Sequence, residues 1–139
     1  MALENAVIAL RHALEADERV SAAILFGSVA KGMARRTSDL DVALVARSRQ
    51  DALVLNGEHL DLTARLSLAA QRDVHLTMLE EVGPELGRQV FLHGRTLFDR
   101  DPRRTAALLE RMTLEYFDGE HHRRIRHEAL RQRREARHG

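Results

Sequence analysis

Two short stretches of this chain hold residue types whose spacing suits phosphate and metal chemistry. In Ser38-Asp39-Leu40-Asp41-Val42-Ala43-Leu44-Val45, alternation places Asp39, Asp41 and Ala43 on one face of a strand and Leu40, Val42 and Leu44 on the other. Aspartate is depleted in strands, and two like charges at this spacing repel. A divalent cation would offset that cost, because hard cations take carboxylate oxygens. The alternative is a strand that begins only at Leu40, with both aspartates solvated. In Leu25-Phe26-Gly27-Ser28-Val29-Ala30-Lys31-Gly32, an apolar run meets glycine and serine and a short helix follows. Glycine permits a tight turn and close backbone approach. A helix N-terminus there presents free N–H groups and partial positive charge to phosphate oxygens. A simple turn fits the same residues. Asp73, in Arg72-Asp73-Val74-His75-Leu76-Thr77-Met78, has a similar setting, and a third carboxylate on a neighbouring strand would complete a two-metal site. His75 shares the face of Asp73 and is a candidate lining residue; a helix-to-strand turn is the plainer reading of Asp73.

These residues need a sheet to hold them. Leu3, Val7, Leu10 and Leu14 recur at helical spacing. Val20 to Phe26 and Asp39 to Val45 read as strands, with a short helix between them at 29–35. The 47–56 segment is ambiguous and ends on the turn signal Asn56-Gly57. A helix follows to near Gln71, then a strand over 73–78. Pro84 opens a helix to about His93, with Gly94 suited to its C-terminal cap. Arg95 to Phe98 forms a short fourth strand. Asp101 as N-cap and Pro102 at the first position open a long helix carrying Leu108, Leu109, Met112, Leu114 and Phe117. The expected fold is α/β (α+β), a small mixed sheet covered by helices on one face with a long C-terminal helix. One domain is expected over 1–139, its catalytic part about 1–100 and a C-terminal helix and basic tail about 101–139.

The 139 residues include no cysteine, so thiolate metal sites and disulfides are excluded. No apolar run approaches the roughly 20 residues of a membrane span, and no signal-peptide pattern opens the chain, so a cytoplasmic protein is expected. Net charge is +1 but uneven: residues 1–101 carry 12 basic and 15 acidic side chains, and residues 102–139 carry 10 and 6. Seven arginines fall in the last nineteen residues. Such a tail suits an acidic partner surface or a solvated helix end. With only five Phe and Tyr residues and no basic-aromatic interleaving, a dedicated nucleic-acid module is not expected.

Gly27-Ser28, ten residues, then Asp39-Leu40-Asp41 together resemble the signature of the polymerase-β-like nucleotidyltransferase superfamily. The chain looks like its minimal nucleotidyltransferase (MNT) branch, familiar as the antitoxin of HEPN/MNT toxin–antitoxin pairs. The resemblance runs from the first strand through Asp73, and the 46–58 segment is less typical. It implies that Gly27 and Ser28 hold the triphosphate, that Asp39 and Asp41 ligate two Mg²⁺ ions, and that Asp73 ligates one of them and acts as general base. Lys31, Arg35 and Arg36 are candidate triphosphate contacts and Ser38 precedes the first aspartate as in the family. The implied reaction moves AMP from ATP onto a hydroxyl, a tyrosine of a HEPN toxin, within a hetero-oligomer. Transfer to a small molecule such as an aminoglycoside is an alternative, disfavoured by the basic C-terminal part. A non-catalytic antitoxin that neutralises by binding is another.

Overall fold

The computed structural model describes residues 2–27 and 39–138. Those residues form α1 (Leu3–Glu15), β1 (Val20–Phe26), β2 (Leu40–Ala46), α2 (Arg49–Gly57), α3 (His59–Ala70), β3 (Val74–Met78), α4 (Pro84–His93), β4 (Arg95–Asp99) and α5 (Pro102–His138). The sheet order is β3-β2-β1-β4. β1 runs antiparallel to β2 and to β4, while β2 and β3 are parallel, so the sheet is mixed as the sequence suggests. The short helix expected at 29–35 lies outside the described residues.

Alternation along β2 divides the core in two. Leu40, Val42, Leu44 and Ala46 pack with Ala6, Val7, Leu10 and Leu14 of α1, Ala52 and Leu55 of α2, and Leu62, Leu66 and Ala70 of α3. Ala43 and Val45 face the other way and meet Ala22, Ile24, Leu79, Val90 of α4, and Leu108 and Met112 of α5. The helical cover therefore extends beyond one face, because α4 and the start of α5 close part of the second. Asp41 belongs to this second face, two residues before Ala43.

Local chemistry explains the element ends. Ser48 caps α2 by accepting from the Asp51 N–H at 3.1 Å, and its hydroxyl donates to Asp51 Oδ2 at 3.0 Å. This reciprocal cap forms a helix where the sequence is ambiguous, and Asn56-Gly57 ends that helix. Gln71 closes α3 in the left-handed conformation, with φ 53°. Gly94 follows α4 with an extended backbone, φ −76° and ψ 157°, so it is not the left-handed cap its type suggests. Its reason is space: a Cβ there would strike the Val90 carbonyl and the Ile24 side chain. Asp101 caps α5 as expected, accepting from the Arg104 N–H at 3.3 Å. Among the described residues of α5 only Leu108 and Met112 are buried. Arg88 of α4 lies 4.7 Å from the centre of the Tyr116 ring. From 121 to 136 every residue is exposed.

Candidate functional site

The site gathers where β1 ends and β2 begins. In the antiparallel register Phe26 faces Asp41, so the next residue, Gly27, comes down beside the Asp41 side chain. Gly27 has φ +75°, a conformation L side chains rarely adopt, and a Cβ there would collide with the Asp41 carboxylate, whose Cγ would be 3.3 Å away. The glycine is thus required twice, by its dihedral and by the carboxylate it admits. Gly27→Ala is expected to destabilise the fold by about 1–2 kcal/mol and to displace Asp41. A thermal melt checks the first effect. Titration with Mg²⁺ and ATP checks the second, which an unchanged affinity would contradict.

Strand β2 starts at Leu40. Asp39 therefore stands just outside it, exposed, while Asp41 lies inside the strand and is half-buried. This divides the two readings of the sequence: one aspartate is solvated and the other sits on the strand. Burial, with the charge of Asp39 adding to it, raises the Asp41 carboxyl above its ordinary value, and among the described residues His75 opposes this.

The parallel register of β2 and β3 pairs Leu40 with Val74 and Asp41 with His75. His75 is exposed and its Nε2–H donates to Asp39 Oδ2 at 3.1 Å. That hydrogen bond, reinforced by the charges of Asp39, Asp41 and Asp73, raises the imidazole above its ordinary pKa. Asp73 precedes β3, is exposed, and its carbonyl accepts from the Leu40 N–H at 2.9 Å. So the structure brings Asp39, Asp41 and His75 together and sets Asp73 on the adjoining turn, near enough for its charge to act on His75. The direct His75–Asp39 pairing is not visible in the sequence, because it depends on a register between strands over thirty residues apart. Ser28, Lys31, Arg35, Arg36 and Ser38 lie outside the described residues.

Two carboxylates share one mouth, one of them half-buried, and carboxylate oxygens are the donors a hard divalent cation takes. Among the described residues no group of three or more His, Cys, Asp or Glu side chains is placed to hold a metal ion. An open set suits Mg²⁺, which is commonly held by one or two carboxylates plus substrate phosphates. No helix of the described residues is long and apolar enough to cross a membrane.

Several solved structures share this fold. A crystal structure of a toxin–antitoxin with AMP-PNP contains a chain similar to this one at a TM-score of 0.70 and 24% identity, over 91% of this chain and 97% of that one. A tri-AMPylated Shewanella oneidensis HEPN toxin in complex with MNT antitoxin contains another, at 0.65 and 17%, over 92% and 98%. A chain solved as a candidate minimal nucleotidyltransferase matches at 0.52 and 28%, over 68% and 95%. No curated protein matches the sequence. Residues 9–103, which hold the whole Gly27 to His75 site, match the family described as Polymerase beta, Nucleotidyltransferase, and the chain belongs to that family.

Proposed function

We propose that this chain is the nucleotidyltransferase antitoxin of a HEPN toxin–antitoxin pair, moving AMP from ATP onto a hydroxyl of the toxin, a tyrosine, in the cytoplasm. The observation that carries the reading is the likeness, over 92% of this chain and 98% of that one, to a chain from a complex of an MNT antitoxin with a tri-AMPylated HEPN toxin. Family membership and the Gly27/Asp41 geometry add to it. We assign acceptor binding to the long helix that follows the catalytic part, about 1–100, with the partner's own surface presenting the hydroxyl.

In this reading Asp39 and Asp41 hold Mg²⁺, with Asp73 as a further carboxylate at the rim. When bound, Mg²⁺ neutralises and polarises the triphosphate. Gly27 lets the backbone approach the phosphates, and Ser28 adds its hydroxyl there. Lys31, Arg36 and Ser38 are assigned to the triphosphate as cationic and polar contacts. Asp73 takes the proton of the attacking hydroxyl. The acceptor oxygen bonds to the α-phosphorus in line, and the bond to the bridging oxygen breaks to release pyrophosphate. The test is mass spectrometry of the cognate helical partner after incubation with this chain, ATP and Mg²⁺. Added AMP on a tyrosine is the expected result. A partner neutralised with no mass gain would favour stoichiometric binding, and AMP found on an aminoglycoside instead would point to a small-molecule acceptor.

A further inference from the structure

Strand β3 ends at Met78 while β2 runs on to Ala46, and two side chains complete the edge of β2 where β3 stops. The Ala46 N–H donates to Glu80 Oε1 at 2.8 Å, and the Ala46 carbonyl accepts from the Arg104 Nε–H at 2.9 Å. One backbone residue thus holds a carboxylate that follows β3 and a guanidinium of α5 at the same strand end. Beside them lies a cavity of about 670 Å³, lined also by Val45, Ala107 and Leu108 and by Arg103 and Arg111. Its size falls within the roughly 300–1,000 Å³ of small-molecule sites. Val45 shares the sheet face of Asp41 but stands four residues, about 13 Å, further along β2, with the fully buried Ala43 between them. The cavity is therefore separate from the mouth formed by Asp39 and Asp41.

Three guanidiniums face two carboxylates in this wall, those of Glu80 and Asp101. Asp101 is engaged in capping α5 through the Arg104 N–H. Arg111 meets Glu115 only at 3.8 Å, with both side chains more than half exposed, a pairing that water weakens. Glu80 Oε2 is buried and has no hydrogen-bond partner among the described residues. Guanidinium groups match phosphate oxygens, the apolar lining suits a flat ring, and an orphaned carboxylate oxygen calls for an N–H donor. A nucleotide whose base carries an exocyclic amine has all three parts. We propose that this cavity binds an amino-bearing nucleoside monophosphate, its phosphate on Arg103, Arg104 and Arg111 and its base amine toward Glu80, at a second site distinct from the Asp39–Asp41 mouth.

The experiment titrates AMP calorimetrically into the full-length protein with EDTA present, which silences any site that depends on a divalent cation. AMP is expected to bind at one equivalent. Replacing Arg103 and Arg111 together by glutamine should weaken it at least about tenfold, and because both are exposed that variant should melt as wild type does. UMP presents a carbonyl where AMP presents an amine and should bind more weakly. Glu80→Gln keeps an acceptor for the Ala46 N–H and puts an amide NH₂ in the place of Oε2, so it should reverse the order of AMP and UMP. The variant with Asp39→Asn and Asp41→Asn should bind AMP as wild type does. Loss of AMP binding in that variant would place the ligand at the Asp39–Asp41 mouth and overturn the proposal. So would an absence of AMP binding to wild type, wild-type affinity in the arginine variant, an unchanged order in folded Glu80→Gln, or inorganic phosphate binding as tightly as AMP. No arm requires ATP turnover or a protein partner, so failure of AMP transfer onto a toxin would not imitate any of these results.

Discussion

Replacing Asp39 and Asp41 together by asparagine is expected to erase the stabilisation that Mg²⁺ and ATP confer on this chain. A ligand that binds only the folded state at a hundredfold over its Kd adds about 2.7 kcal/mol, on the order of 10 °C in a domain of this size. The variant should show none of it. Its own melting temperature without ligand should be equal to that of wild type or higher. The reason is electrostatic: burial and the neighbouring Asp39 charge both work against ionised Asp41, and neutral amides remove that penalty without changing side-chain size. A variant more stable when empty yet blind to its ligand is the signature of carboxylates kept for binding instead of folding. A variant that merely unfolds would lose stability in both states. Scanning calorimetry with and without Mg²⁺ and ATP separates the cases, and an undiminished ligand shift in the double variant would remove the aspartate pair from the site. AMP transfer should disappear with the shift.

Much of this site is legible in the sequence, and the limits are physical. Gly27 and the Asp39–Asp41 pair stand out because a glycine after an apolar strand and two aspartates on one strand face each carry a local cost that needs an explanation. The capping of α5 by Asp101 and Pro102 is equally local. What escapes is set by distance along the chain. The neighbour of Asp41 on β3 depends on the parallel register, which no local pattern encodes, so Asp73 draws notice by its charge while His75 makes the contact. Gly94 suggests a left-handed cap, but the crowding of Ile24 against α4 explains it. α2 is weak by periodicity because only Ala52 and Leu55 are buried on it. Its Ser48–Asp51 cap was the available signal.

Removing residues 121–139 is expected to abolish tight binding of the protein partner while leaving folding and binding of Mg²⁺ and ATP near wild type. Among the described residues the buried part of α5 ends at Met112, its last aromatic contact with α4 is Arg88 on Tyr116 and Phe117, and no candidate Mg²⁺ or ATP ligand lies beyond Asp73. The fold therefore loses little. Residues 121–138 extend about 27 Å past that point at 1.5 Å per residue, and 121–136 are exposed throughout. Surface pairs such as Arg131–Glu128 at 2.6 Å add little. Ile125 sits eleven residues, three turns, after Leu114, so the two share a face, and both are more than half exposed. An apolar anchor set among seven arginines suits an acidic partner with an apolar groove. Losing one well-seated anchor costs about 2 kcal/mol, roughly thirtyfold in Kd, and the arginines should make association fast and salt-sensitive. Binding kinetics against the partner at two salt concentrations, beside calorimetry with ATP and Mg²⁺, give the comparison. Partner affinity unchanged by the truncation would move the interface to the catalytic domain, where the exposed Leu53, Leu60 and Leu68 of α2 and α3 would be the next surface to substitute.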